Sequence, residues 1–177
     1  GGRDRFISKL DTLFAERLYW HGNEPCHQVA YLYNHTGEPW KTQRIVRHIL
    51  DTEYGDTPGG LAGNDDAGQM SAWYIFSALG FYPVCPASDQ YVMGAPLFKK
   101  ATLHLAGGED FVIEAPENSA ENRYMDNVRL NGKEYSRNYI THSDITSGGK
   151  MTVSMSAEPN IQRGTTNEDR PYSFSRE

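Results

Sequence analysis

One short pattern with the makings of chemistry occurs twice. Gly22-Asn23-Glu24-Pro25 and Gly63-Asn64-Asp65-Asp66 each set an amide and a carboxylate behind a glycine, ahead of an apolar run with helical spacing. Taken alone, either motif reads as a helix cap, since Asn is favoured there and an acid in the first turn suits the helix dipole. Taken together they offer three carboxylates. Such a group on one rim can hydrolyse a glycoside or hold calcium. A helix N-terminus favours the charged form of an acid, so these acids are expected to be ionised at neutral pH. Charged carboxylates serve as general base, metal ligand or acceptor for sugar hydroxyls, and make poor general acids. The Asp65-Asp66 pair is the exception to watch, because adjacent like charges raise one of the two.

Around the motifs lie the other parts of a sugar site. Trp20, Trp40 and Trp73, with Tyr19, Tyr31, Tyr33 and Tyr74, present apolar faces that stack on pyranose rings. Core packing is the competing reading, and the heavier one for Trp40 and Trp73. His21, His27, Asn34 and Gln69 offer hydrogen bonds to hydroxyls. The histidines at 21, 27, 35 and 48 lack zinc-like spacing. No Gly-x-Ser-x-Gly, P-loop, Gly-x-Gly-x-x-Gly or Cys-x-x-Cys is present. Asn34-His35-Thr36 is a glycosylation sequon in form, and reads better as a helix-end turn.

The elements that must position these residues divide near Pro83. Before it the spacing is helical. Phe6, Leu10, Leu13 and Phe14 mark one face of a first helix. Val29, Leu32 and Tyr33 begin a second, stopped at Gly37. Pro39 suits the first turn of a third, with Ile45, Val46, Ile49 and Leu50 as its apolar face. A fourth carries Met70, Trp73, Tyr74 and Ser77, ends at Gly80, and is apolar all round, which predicts burial. Short links make neighbours antiparallel, so the second and fourth helices start at the same end. Glu24 and Asp65-Asp66 then share one rim. The third helix, with Lys41, Arg44, Arg47 and His48, reads as outer and solvated; the second and fourth read as inner. That is the logic of an α/α toroid.

After Pro83 the segments 102–105, 111–114, 128–130 and 151–155 alternate or run apolar, as strands do. Asn131-Gly132 is a strong hairpin signal. This half reads as an antiparallel sheet or sandwich, followed by a polar, irregular tail after Pro159.

Composition bounds the rest. The chain has 177 residues, with 17 basic and 23 acidic side chains, hence 17 − 23 = −6. Its acidity argues against nucleic acid, which calls for a basic face. No apolar stretch approaches the ~20 residues of a membrane helix. Mean hydropathy is low at −0.65, yet 12% aromatic residues is too rich for a disordered chain. Cys26 and Cys85 are too few for a disulfide scaffold and read as buried thiols. The chain opens on Gly1-Gly2 without an initiator Met, and reads as a piece of something longer.

At the motif residues the chain resembles glycoside hydrolase family 92. The resemblance is carried by Gly22-Asn-Glu-Pro25, Tyr31-Leu-Tyr-Asn34, Gly37-Glu-Pro-Trp-Lys-Thr-Gln43, Gly60-Leu-Ala-Gly-Asn-Asp-Asp-Ala-Gly-Gln-Met-Ser-Ala-Trp73 and Gly80-Phe-Tyr-Pro-Val84. It implies an exo-acting, calcium-dependent, inverting α-1,2-mannosidase, periplasmic or extracellular in a bacterium, acting on a mannose-containing glycan. It implies an α+β partial domain. Residues 1–82 would be the last helices of an (α/α)6 toroid. Residues 83–160 would be an antiparallel β region packing on an N-terminal β-sandwich supplied, with the earlier toroid helices, by the remainder of the parent chain. Residues 161–177 would be an irregular tail. Carried over, Asp65 and Asp66 activate the attacking water. Glu24, with Asn23, His21, Asn64 and Gln69, contacts the sugar, and Asn23 and Glu24 are the expected calcium ligands. The general acid is expected outside this chain, since Glu16 sits in an unremarkable helical setting. The rival reading is a non-catalytic carbohydrate-binding or structural module.

Overall fold

The computed structural model describes residues 2–174. Gly1 and positions 175–177 of the expected tail lie outside them.

The first half holds helices α1 (Gly2–Ala15), α2 (Pro39–Thr52) and α3 (Gln69–Leu79). Between α1 and α2 run two 3-10 segments, Glu24–Cys26 and Val29–Thr36. The expected second α-helix is thus a 3-10 helix. Side chains there reach the carbonyls three residues back, Asn34 to Tyr31 O at 3.1 Å and Thr36 to Tyr33 O at 2.8 Å, which suits the tighter winding. Gly37 closes it at φ 77°, as its position predicts. The α1 face is also rotated: Ile7 and Leu10 are buried while Phe6 is 41% exposed.

The α2 helix corrects the expectation of an outer, solvated element. Its apolar stripe is buried as read, but so are Gln43 and Arg47. Arg47 is 4% exposed. Its Nη2 donates to Pro96 O at 2.8 Å and to Asn118 Oδ1 at 2.7 Å. Gln43 Oε1 accepts from the Met125 backbone at 2.9 Å. Lys41 is held between Asp11 at 2.7 Å and Glu38 at 2.8 Å. Only Arg44 and His48 of the expected basic face are exposed.

The second half builds two sheets. Strands β1 (Phe81–Tyr82), β2 (Gln90–Met93) and β7 (Tyr139–Thr141) form the smaller, antiparallel in the order β1-β2-β7. Strands β3 (Lys100–His104), β4 (Asp110–Glu114), β5 (Tyr124–Leu130), β6 (Lys133–Glu134) and β8 (Gly149–Ser156) form the larger, ordered β3-β4-β8-β5-β6. A short helix, α4 (His142–Thr146), precedes β8. The larger sheet is mixed rather than antiparallel, because β4 and β8 run parallel. The long crossover between them allows that pairing, which a hairpin cannot. Asn131 and Gly132, at φ 50° and 80°, make the expected turn between β5 and β6. Phe81, Met93 and Ile140 of the small sheet share one core with Phe111, Ile113, Met125, Met151 and Val153 of the large one. A second core joins α1, the 3-10 helix, α2, Trp73, Tyr82 and Val92.

The tail is irregular but pinned. Arg163, 9% exposed, donates to Asn138 Oδ1 at 3.2 Å and to the carbonyls of Tyr135 and Arg137. Asn138 N bonds Asp169 O at 2.7 Å. Neither cysteine is a buried thiol: Cys85 is exposed and Cys26 half-buried, and both are free. Among the described residues no helix is long and apolar enough to cross a membrane.

Arg47→Leu is expected to lower stability by about 2–4 kcal/mol, since it leaves the buried Pro96 and Asn118 oxygens without their donor. Arg44→Leu, three residues earlier on the same helix but exposed, is expected to stay within about 0.5 kcal/mol. Urea denaturation of both variants measures the contrast.

Candidate functional site

The two Gly-Asn-acid segments meet at their glycines. A Cβ placed on Gly63 would lie 2.7 Å from Gly22 Cα, and one on Gly22 would lie 2.6 Å from Ala62 O. Backbone is packed directly on backbone, a closeness only glycine permits. Asn23, Glu24, Asn64, Asp65 and Asp66 are all exposed around this junction. Glu24 and Asp66 both act electrostatically on His27, so both carboxylates lie within electrostatic range of one ring.

The second motif departs from a plain cap. Asp66, Ala67 and Gly68 all lie in the left-handed region, at φ 50°, 58° and 99°. Each non-glycine in that region costs on the order of 1–3 kcal/mol. The turn is held by Gly68 N and Met70 N donating to Asp65 O, at 3.2 and 3.1 Å. Asp65 Oδ1 also accepts from Ser71 N at 3.0 Å and Ser71 Oγ at 2.8 Å. Asp65 therefore serves as the anchor of the first turn of α3. Asp66, lifted by the left-handed turn, is the carboxylate left free of such capping.

Beneath the rim lies a bed of rings. His21 is 1% exposed. Its Nδ1 is 2.8 Å from Tyr19 Oη and its Nε2 is 2.7 Å from Tyr54 Oη. Tyr54 donates to Met70 O at 3.0 Å, so it accepts from His21 Nε2–H, and Nδ1 accepts from Tyr19. Both nitrogens are spent inside the protein, and His21 supports the rim from below. His27 stacks on it at 4.6 Å, and Trp73 meets it edge-on at 4.3 Å. Trp73 Nε1 donates to His27 O at 3.0 Å. Gln69 Nε2 contacts His27 Nδ1 at 3.2 Å and Tyr82 Oη at 2.7 Å.

Of the aromatic residues, Trp73, Tyr31 and Tyr33 are fully buried. Trp40 is half-buried between Lys41 and Arg44, each 5.5 Å from its ring. Trp20 is 59% exposed, with its indole close over Gly22. It is the one tryptophan that offers an open face at the rim. Tyr54, Ser71 and Tyr82 belong to the site without having been read from the sequence. They sit among other aromatics and polar residues, and only the fold brings them there.

The residues expected to hold calcium do not suffice for it. Asn23 and Glu24 supply hard oxygen atoms, whereas calcium takes six to eight. Among the described residues no group of three or more His, Cys, Asp or Glu side chains is placed to hold a metal ion.

Residues 1–157 match the family model of the glycosyl hydrolase family 92 catalytic domain. An uncharacterized secreted glycosidase of Arthroderma benhamiae is 31% identical over 98% of this chain and 23% of its own length. A family GH92 α-mannosidase of Bacteroides thetaiotaomicron superposes at a TM-score of 0.94 with 44% identity, over 98% of this chain and 24% of that one. A family GH92 inverting mannosidase of the same organism gives 0.92 and 42%, over 99% and 27%. The chain thus spans about a quarter of the relatives it matches. The class is that of the glycoside hydrolases. Within it, the chain belongs to glycosyl hydrolase family 92.

Gly63→Ala is expected to force the two segments apart and cost about 2–4 kcal/mol; calorimetric melting reads the loss. The bed also sets a pH response. Burial and the neighbouring His27 push His21 down to about 3 from 6.5, and burial lowers His27 as well. Below about pH 6.5 the unfolded imidazole takes up a proton that the folded ring refuses. Stability therefore falls on acidification between about pH 6.5 and 3. The melting temperature of His21→Gln is expected to vary less steeply over that window than that of the natural protein.

Proposed function

We propose that this chain is the C-terminal part of an exo-acting, inverting α-mannosidase that removes mannose from glycans. The observation carrying the reading is the glycine-to-glycine contact, which brings Glu24 and the Asp65-Asp66 pair to one exposed rim. The two bacterial relatives are a named α-mannosidase and a named inverting mannosidase, and the fungal relative is a named secreted glycosidase. Secretion, to the periplasm or beyond the cell, fits the fungal relative.

In this mechanism Asp66 is the general base. Its carboxylate is free of the α3 cap, and it removes a proton from a water on one face of the anomeric carbon. Asp65 holds the turn that presents it. A general acid from outside this chain protonates the leaving oxygen. The two carboxyls of an inverting pair stand ~6.5–9.5 Å apart, leaving room for the water. Glu24, Asn23 and Asn64 accept and donate hydrogen bonds to sugar hydroxyls. Calcium is proposed for the whole protein only, with most of its oxygen ligands drawn from elsewhere. Closure of an (α/α)6 ring by the rest of the parent chain fits Leu18 and Ile75, 64% and 59% exposed on this one. Alone, the 177 residues are expected to be inactive and to self-associate through such faces.

In the full-length protein, Asp66→Asn is expected to lower kcat by roughly 10²–10⁴ on an α-1,2-mannobioside. Asp65→Asn is expected to lose both rate and stability. NMR of the first product in the natural protein should show anomeric inversion. Near-normal turnover in Asp66→Asn would overturn the assignment of the base, and near-normal turnover in both variants would overturn the site. A panel of mannobiosides tests the α-1,2 preference, and sugar binding without turnover would favour a carbohydrate-binding module instead.

A further inference from the structure

A chain of forced hydrogen-bond directions runs under the rim. It starts at a backbone carbonyl, which can only accept. His27 Nε2 lies 3.0 Å from His21 O, so that nitrogen carries a proton. His27 is 1% exposed, and burial lowers its affinity for a second proton. A neutral imidazole has one N–H, so Nδ1 is bare and needs a donor. The partner at 3.2 Å is the Gln69 side chain, whose nitrogen end must therefore face it. That same nitrogen lies 2.7 Å from Tyr82 Oη and gives it the second amide hydrogen. Tyr82 thus accepts from Gln69, and its own hydroxyl proton is left uncommitted.

The placement of that proton is specific. The Tyr82 ring stacks on Tyr31 at 5.4 Å, which fixes its direction. The residue is 8% exposed, and its Oη is held by Gln69, the first residue of α3. Burial and the nearby Glu24 charge together outweigh the Gln69 hydrogen bond and push the phenol upward. It stays an O–H donor at neutral pH, and Gln69, whose own backbone N bonds Asp66 O at 3.3 Å, ties it to the rim.

We propose that Tyr82 donates this proton to a hydroxyl oxygen of the sugar held at the Glu24–Asp66 rim, with Gln69 and His27 as the positioning residues that aim it. The proposal rests on the glycosidase reading above. Gln69, expected from the sequence to touch the sugar itself, instead acts through Tyr82.

The test is calorimetric titration of the full-length protein with mannoimidazole. Tyr82→Phe is expected to weaken binding about two- to tenfold, the worth of one neutral hydrogen bond. Gln69→Glu keeps the Tyr82 hydroxyl but replaces the amide donor with an acceptor that captures its proton. It is expected to weaken binding to a similar degree. The Tyr82→Phe/Gln69→Glu double variant should be no weaker than the poorer single one, since both remove the same bond. A merely structural role for Tyr82 predicts unchanged binding in Gln69→Glu and additive losses in the double variant; either result overturns the proposal. Unweakened binding by Tyr82→Phe overturns it too, leaving the glycosidase reading intact. Failure of the natural protein to bind mannoimidazole overturns both.

Discussion

The site depends on a contact with no side chain in it. Gly22 and Gly63 bring two peptide backbones to a separation that one added carbon would forbid. Everything on the rim is placed relative to that seam. Below it, the ring bed is tied to the same two segments: Trp73 bonds the His27 carbonyl, and His21 reaches Tyr54, which bonds the Met70 carbonyl. The seam joins the two segments that carry the carboxylates, and the bed ties both segments from below. A left-handed turn through Asp66 and Ala67 adds local strain, offset by the hydrogen bonds that converge on Asp65.

The rest of the molecule keeps this junction rigid. Helix α2 acts as a keel between the halves, because Arg47 and Gln43 spend their polar groups on the loops and strand of the β half. Buried polar groups without partners are costly, so these bonds specify one docking of helix on sheet. Asn138 does similar work at the far side. Fully buried, it bonds Gly164, Arg163 and Asp169, and so fastens the tail to β7.

Much of this was legible in the residues. Helical period marked α1, α2 and α3; Gly37 marked the end of the 3-10 helix, Pro39 the start of α2 and Gly80 the end of α3; Asn131-Gly132 marked a hairpin. The repeated Gly-Asn-acid pattern marked the rim. Other features were hidden because they are properties of the fold. Periodicity did not separate a 3-10 helix from an α-helix at 29–36, where side-chain bonds to carbonyls tipped the balance. A basic stripe read as solvated, yet Arg47 turned inward to acceptors supplied by distant loops. The parallel pairing of β4 with β8 leaves no local trace, since strand direction is decided by the crossover. Strands β2 and β7 were too short to stand out. His21 resembled a ligand contact by type and place, and only coordinates reveal that two tyrosines already occupy it.

Strand β8 lies at the centre of the larger sheet and is the last strand among the described residues. Its neighbours β4 and β5 must therefore wait, with edges bare, until it has been synthesised. Assembly of this sheet is a late, long-range event, slower than the local helices before it. During that interval the unpaired strands are the part of the nascent molecule most open to wrong partners, and the part a chaperone would have most reason to shield.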